Sequence, residues 1–200
     1  MYLIEHWVRA DVCGVVETRF KDDGAQLVEE LRSSGLQWFG KDRKGRPGGG
    51  LGFLVRTEMR AKVWKVSRSE NLLWLQMQGQ LFVAVVYIVP NNESTEINDV
   101  TLRELLEDIT ELKERGVVVV LGDLNGRIGE ESNCINVGIA GTEVSEVARC
   151  SQDQDRPTPM GKKVLGMLNG VDMVVMNGVK ERANYTSIQA LGNSVIDGRT

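Results

Sequence analysis

Two kinds of apolar pattern run along the chain. Leu3, Ile4, Trp7 and Val8 recur at helical spacing, and "DVCGVVET" then condenses into a short run typical of a buried strand, with Glu17 at its polar end. A short helix from Ala25 to Arg32 is expected to close on Gly35, which suits a left-handed cap. "KDRKGRPGGG" is a loop by composition. From Leu51 to Val89 four strands follow one another, "LGFLVR", "AKVWKV", "LLWLQM" and "LFVAVVYIV", with breaks so short that antiparallel hairpins are expected rather than helical crossovers. Pro90 cannot donate to a ladder and ends the run.

The second half alternates. Between Ser94 and Arg115 the residues Ile97, Leu102, Leu105, Leu106, Ile109 and Leu112 mark one face of a helix, Gly116 stops it, and "VVVVLGD" follows at once. A glycine-rich, polar stretch runs from Arg127 to Arg156. "TPMGKKVLGMLNG" then starts a helix with Pro159 at a favourable first position, leading to a strand "DMVVMNG" and a last strand-like "SVID". Hairpins first and helix-strand alternation afterwards predict an α/β protein built as a two-sheet, four-layer sandwich with helices outside. No repeat, low-complexity segment or linker interrupts it, so residues 1–200 are expected to form a single domain.

Composition narrows the function classes. Apolar content of 42% and charged content of 26% are those of an ordinary soluble globular protein. A net charge of -4 lacks the basic excess of a dedicated nucleic-acid binder, so a polyanion contact would have to come from a local patch or a metal. Glu5 and Arg9 break the opening stretch, which therefore does not read as a signal peptide. No run approaches the roughly 20 apolar residues that span a bilayer, and a nuclear or cytoplasmic, intracellular protein with no membrane partner is expected. Cys13, Cys134 and Cys150 are an odd number without a C-x-x-C pair, so reduced thiols are expected.

Candidate chemistry sits at strand ends. Glu17 follows "CGVV", Asn91 follows "VVYIVP", Asp123 and Asn125 follow "VVVVLG", and Asp197 follows "SVI". In "GDLNG", alternation along an extended chain would point Asp123 and Asn125 the same way while Leu124 turns inward. The ends of strands in α/β sheets are where ligands gather, and one site could contain all five residues. Each also has a plainer reading. Glu17 could be a solvated loop carboxylate, Asn91 a turn residue after proline, and Asp123 a turn cap bonded to its own backbone.

Taken in order, "DVCGVVETRF", "GGGLGFLVR", "VVYIVPN", "GDLNGRIG" and "SVID" resemble the motifs of the endonuclease/exonuclease/phosphatase superfamily of metal-dependent phosphoesterases. The resemblance runs from about Ala10 to Asp197 and looks nearest to the endonucleases of non-LTR retrotransposons and their host-encoded craniofacial-development-like relatives. It implies a metal-dependent phosphodiesterase, most plainly a DNA endonuclease. The alternatives are a phosphatase or phospholipid phosphodiesterase of the same superfamily, or a catalytically inactive remnant that acts as a binding module. Glu17 would ligate Mg²⁺, with Mn²⁺ as a substitute; Asp123 would orient or deprotonate water; Asn125 would help to hold water and phosphate; Asn91 would donate to phosphate; and Asp197 would pair with a histidine.

Three departures qualify that implication. The family's Ser-Asp-His motif should follow Asp197, whereas the sequence stops at Thr200, and its first, Asn-containing strand should precede Trp7. The domain is therefore expected to be incomplete at both ends and slow or inactive by itself. His6 precedes the first motif and is expected to be structural. The tyrosine usual two residues before the proline is replaced by Ile88, with Tyr87 one place early, and a one-residue shift would turn its side chain to the other face. Gly198 likewise replaces the aromatic residue usual after "ID".

Overall fold

A computed structural model describes residues 10–20, 28, 31, 34–42, 49–90, 95–129, 131, 133–137, 143–147 and 156–176. Two compact units are present, Met1–Ile88 with Thr95–Gly122, and Val89–Ser94 with Asp123–Thr200.

The first unit holds two sheets. β1 (Val12–Val16), β3 (Leu51–Arg56) and β2 (Leu36–Lys41) form one sheet in the order β1-β3-β2, both pairings antiparallel. β4 (Lys62–Lys65), β5 (Leu72–Met77), β6 (Leu81–Tyr87) and β7 (Val117–Asp123) form the other in that order. Helix α1 (Thr95–Lys113) connects β6 to β7. Val117 N–H donates to Gln80 O at one end of β7 and Gly122 lies against Val86 at the other, so β7 runs parallel to β6, as a helical crossover permits.

The sheets face one another through β1 and β3 on β6 and through β3 on β5. Leu51, Phe53 and Val55 alternate into that interior, where Gly14 leaves room for Leu121 and Val85. Alternation turns Leu54 to the opposite face of its sheet, where it joins Leu31 and Leu36 and where Cys13, Val15 and Trp38 pack. On the far side of the four-stranded sheet, α1 buries Leu102, Leu105, Ile109 and Leu112, and its Asp108 reaches Lys65. Four of the six residues of the expected stripe are therefore buried, and Ile97 and Leu106 are half-buried at its margin. No described helix is long and apolar enough to cross a membrane.

The second unit contains the hairpin β8 (Asn133–Val137) and β9 (Glu143–Val147) and helix α2 (Pro159–Gly170). Thr158 caps α2 by accepting from Gly161 N–H at 3.1 Å, with Pro159 just inside as expected.

Several local expectations are corrected. β2 is absent from the sequence pattern, because Gly40 interrupts its alternation. β3 and β4 are not a hairpin: a 3-10 turn at Thr57–Met59 and a left-handed Arg60 carry the chain from one sheet to the other. The polar stretch after Arg127 contains the β8–β9 pair, and residues 173–176 are irregular rather than a strand. Val175 is nonetheless buried, which explains the apolar signal there. His6, Asn91, Cys150, Asp197 and "SVID" lie outside the described residues.

Candidate active site

Glu17 stands one residue past β1, on a loop whose backbone the sequence alone would not suggest. Glu17 and Arg19 both take left-handed φ, 58° and 56°, a conformation that costs a non-glycine residue of order 1 kcal/mol or more. The loop is braced from outside: Thr18 N–H donates to Gly50 O at 3.2 Å and Arg19 N–H to Gly49 O at 2.8 Å. Gly49 and Gly50 can do this because they sit at φ 82° and 83°, and a Cβ on Gly50 would run into the Thr18 hydroxyl. The glycine run read as a loop and strand leader is thus also the clamp of the acidic loop.

The Glu17 carboxylate is held ionised. The Tyr87 hydroxyl, donating to it, is the largest influence and holds its pKa below the ordinary glutamate value; partial burial opposes this, while the Arg19 guanidinium and the Gly49 N–H add to it. Tyr87 therefore meets Glu17, contrary to the expectation that its one-place shift would turn it away. Its odd position in β6 puts it on the face toward β1, the face that Val85 shows to Gly14. Arg19 approaches only loosely, with Nε and Nη2 both 3.5 Å from Oε2. Glu17 keeps 37% of its side chain exposed, so at least part of the carboxylate remains available to a ligand from solution.

Asp123 ends β7, and Asn125 follows at φ 43°. Asp123 Oδ1 accepts from Asn125 N–H at 2.9 Å, an Asx turn, so the two side chains are not consecutive members of one extended strand. Leu124 does turn inward, 1% exposed. The turn rests on the start of α2: Arg127 N–H donates to Thr158 Oγ1 at 3.1 Å, Thr158 N–H to Arg127 O at 2.9 Å, and Gly126 lies close to the backbone of Gly161. The sequence marks Thr158 only as a helix start. Its hydroxyl ties that helix to "GDLNG".

Among the described residues no group of three or more His, Cys, Asp or Glu side chains gathers as a metal cage. The donor set around Glu17 suits a hard cation that keeps most of its water. An ionised, part-exposed carboxylate matches the one or two carboxylates by which Mg²⁺ is usually held. Cys13 is half-buried, free, and its thiol pKa is pushed up by burial, which makes it a poor ligand or nucleophile.

No protein-family model and no curated protein matches the chain. Solved structures do. The endonuclease domain of TRAS1, a telomere-specific non-LTR retrotransposon, superposes with a TM-score of 0.51 at 12% identity over 82% of this chain and 73% of that one. The chain has the endonuclease/exonuclease/phosphatase fold. ANGEL2, a 2',3'-cyclic phosphatase, aligns at 23% identity and TM-score 0.48 over 64% of this chain, and an AP endonuclease from Archaeoglobus fulgidus at 18% and 0.44 over 65%. The chain spans 43% of the ANGEL2 structure and 51% of the AP endonuclease, about half of each. Within the endonuclease/exonuclease/phosphatase fold, Glu17 and "GDLNG" stand at the carboxyl ends of β1 and β7.

Proposed function

We propose that the protein hydrolyses phosphodiesters with the help of a divalent metal and that its substrate is DNA, cut internally. The observation that carries this reading is Glu17, an ionised, part-exposed carboxylate on a clamped left-handed loop of a fold shared with an endonuclease domain. Local strain maintained by outside hydrogen bonds is characteristic of functional loops.

Each residue has a part in the chemistry. Glu17 would hold Mg²⁺ or Mn²⁺, and the bound ion supplies positive charge to the phosphate oxygens. Asp123 is the acceptor for the proton of the attacking water. Its Asx turn fixes the carboxylate through Oδ1, so orienting the water needs no further ordering of that side chain. The water oxygen forms a bond to phosphorus as the bond to the leaving sugar oxygen breaks, and the negative charge that builds on the phosphoryl oxygens is met by neutral donors, for which Asn125 and Asn91 are the amides. Asp197 would orient a histidine toward the scissile phosphate.

The Asx turn also favours a second reading, in which "GDLNG" is structural and the protein binds DNA without cutting it. Plasmid nicking with Mg²⁺ separates the two. The expected result is metal-dependent nicking that falls about 10²-fold or more in Glu17→Gln and in Asp123→Asn, the scale of losing one acid–base or metal-holding group. DNA binding with no nicking under any metal selects the second reading. Calorimetric titration with Mg²⁺ adds a readout independent of turnover: equal heats from the wild type and Glu17→Gln would remove Glu17 from the metal site.

A further inference from the structure

The loop that carries Glu17 continues into a cation and an aromatic ring. Arg19 is 73% exposed, and Phe20 is 38% exposed. A single exposed phenylalanine is ordinary on a protein surface. Phe20 differs in how it is held: its ring stands edge-on to Trp38, centroids 5.7 Å apart and planes at 80°.

Trp38 is itself seated by a pair of glycines. Gly40 and Gly52 are direct cross-strand partners in β2 and β3, and the Trp38 indole lies over both, so a Cβ at either position would overlap the ring. Three features of the sequence therefore have one structural result. The glycines seat the indole, the indole supports Phe20, and the left-handed Arg19 brings Phe20 out beside the acidic loop. Phe20 follows Glu17 by three residues, at most about 11 Å of chain, which is within reach of a nucleotide whose phosphate is at Glu17 or one step along.

We propose that Phe20, backed by Trp38, is a stacking platform for an unpaired base of the DNA strand, with Arg19 contacting the adjoining phosphate. The inference rests on the reading of Glu17 as the phosphate end of the site and adds to it where a base is read. An arginine gives a planar, permanently charged partner for phosphate, and an aromatic face accepts any base, typically at about 1–3 kcal/mol per base. The net charge of -4 makes such local contacts more telling, because no general basic field holds the strand.

The test is fluorescence anisotropy with Mg²⁺ present and phosphorothioate-linked oligonucleotides, so that the phosphate end of the site is kept while hydrolysis is suppressed. A set of single-stranded oligonucleotides carries one abasic residue stepped along the strand, bound to the wild type, Phe20→Leu and Phe20→Tyr. The wild type should lose about tenfold in affinity when the abasic residue reaches one particular position. Phe20→Leu, which keeps apolar bulk but no ring, should show that loss with the intact strand and none further at that position, while Phe20→Tyr restores wild-type binding. Phe20→Leu binding intact DNA as well as the wild type does, or losing the same factor at every abasic position, overturns the platform. Nicking that survives such a result leaves the proposed reaction standing; base-dependent binding without any nicking keeps the platform and removes the reaction.

Discussion

Glu17 and Glu104 are two carboxylates in the same unit, both ionised more readily than usual, and they reach that state by opposite routes. Glu104 is 6% exposed on α1, where burial is the largest influence and would raise its pKa. The N–H groups of Ser69 and Arg68, each at 2.9 Å, and the Ser67 hydroxyl at 3.0 Å outweigh it, with Lys65 adding its charge. Its oxygens are occupied by the turn between β4 and β5, and its effect is to pin that turn to the helix. Glu17 has a phenol, one backbone N–H and a loose arginine, remains more than a third exposed, and sits on a backbone held in a costly conformation. A low pKa alone therefore does not mark a functional acid. A carboxylate whose hydrogen bonds are filled from within is an anchor, and one kept charged and open is available to a ligand.

The sharpest way to break this contrast is to remove each acid and measure stability. Glu104→Ala removes the shared acceptor of Arg68 N–H, Ser69 N–H and the Ser67 hydroxyl, leaving the turn only the bonds between Ser67 and Ser69, and should cost about 3 kcal/mol, read as a fall in urea midpoint. Glu17→Gln should stay within about 1 kcal/mol of the wild type, because the side chain is part-exposed and the amide oxygen can still accept a hydrogen bond. A large stability loss in Glu17→Gln, or none in Glu104→Ala, would reverse the two roles.

A smaller effect is expected at Asp108, beside Glu104. Burial pushes the Asp108 carboxyl pKa up, and Lys65 only partly offsets it. Lys65→Met removes the ion partner of a side chain that is 1% exposed and should cost about 2 kcal/mol at neutral pH, less than a fully buried pair because Lys65 itself is 41% exposed. The sign with pH follows from the raised value. Protonated Asp108 needs no partner, so the deficit of Lys65→Met should be smallest below the ordinary aspartate range and grow as pH rises through the raised pKa. A deficit that is constant with pH would show that packing, not charge, is lost.

Gly50→Ala tests the clamp on the other acid. The position is left-handed, at φ 83°, and an added methyl would meet the Thr18 hydroxyl. About 1–2 kcal/mol of destabilisation is expected, together with weaker Mg²⁺ heats than in the wild type. Unchanged heats would mean that the shape of the Glu17 loop does not matter to the metal.

How much of this was legible follows from where each signal resides. The stripe of α1 and the apolar runs of β3, β5 and β6 are local patterns, and they were read correctly. The motif order reached the correct fold, because five short motifs in sequence are far more specific than any one of them. β2 was hidden because its alternation runs through Gly40, whose meaning depends on Gly52 and Trp38 across the sheet. The Glu17 clamp was hidden for the same reason, since Gly49 and Gly50 act on a loop some thirty residues earlier. Asp123 was open to both a turn and a catalytic reading, and the Asx turn realises the first without removing the second.

The finest test concerns the phenol on Glu17. Tyr87 is the largest of the influences that lower the Glu17 pKa, so Tyr87→Phe should raise it toward the ordinary glutamate value without changing the packing of a ring that is 8% exposed. A carboxylate with a depressed folded pKa contributes stability above its unfolded value and loses it as pH falls through the folded one. The wild type should therefore exceed Tyr87→Phe in stability at neutral pH, by at most about 1 kcal/mol given the exposure of Glu17, and the two should converge on acidification. The same shift bears on metal binding. A proton competes better for Glu17 in the variant, so apparent Mg²⁺ affinity should fall more steeply between neutral and mildly acidic pH than it does in the wild type. Carboxyl chemical shifts followed by NMR across that range read the titration directly. Identical curves for the two proteins would show that Tyr87 is only a neighbour of Glu17, and that the left-handed loop and its glycine clamp set the charge of the acid without it.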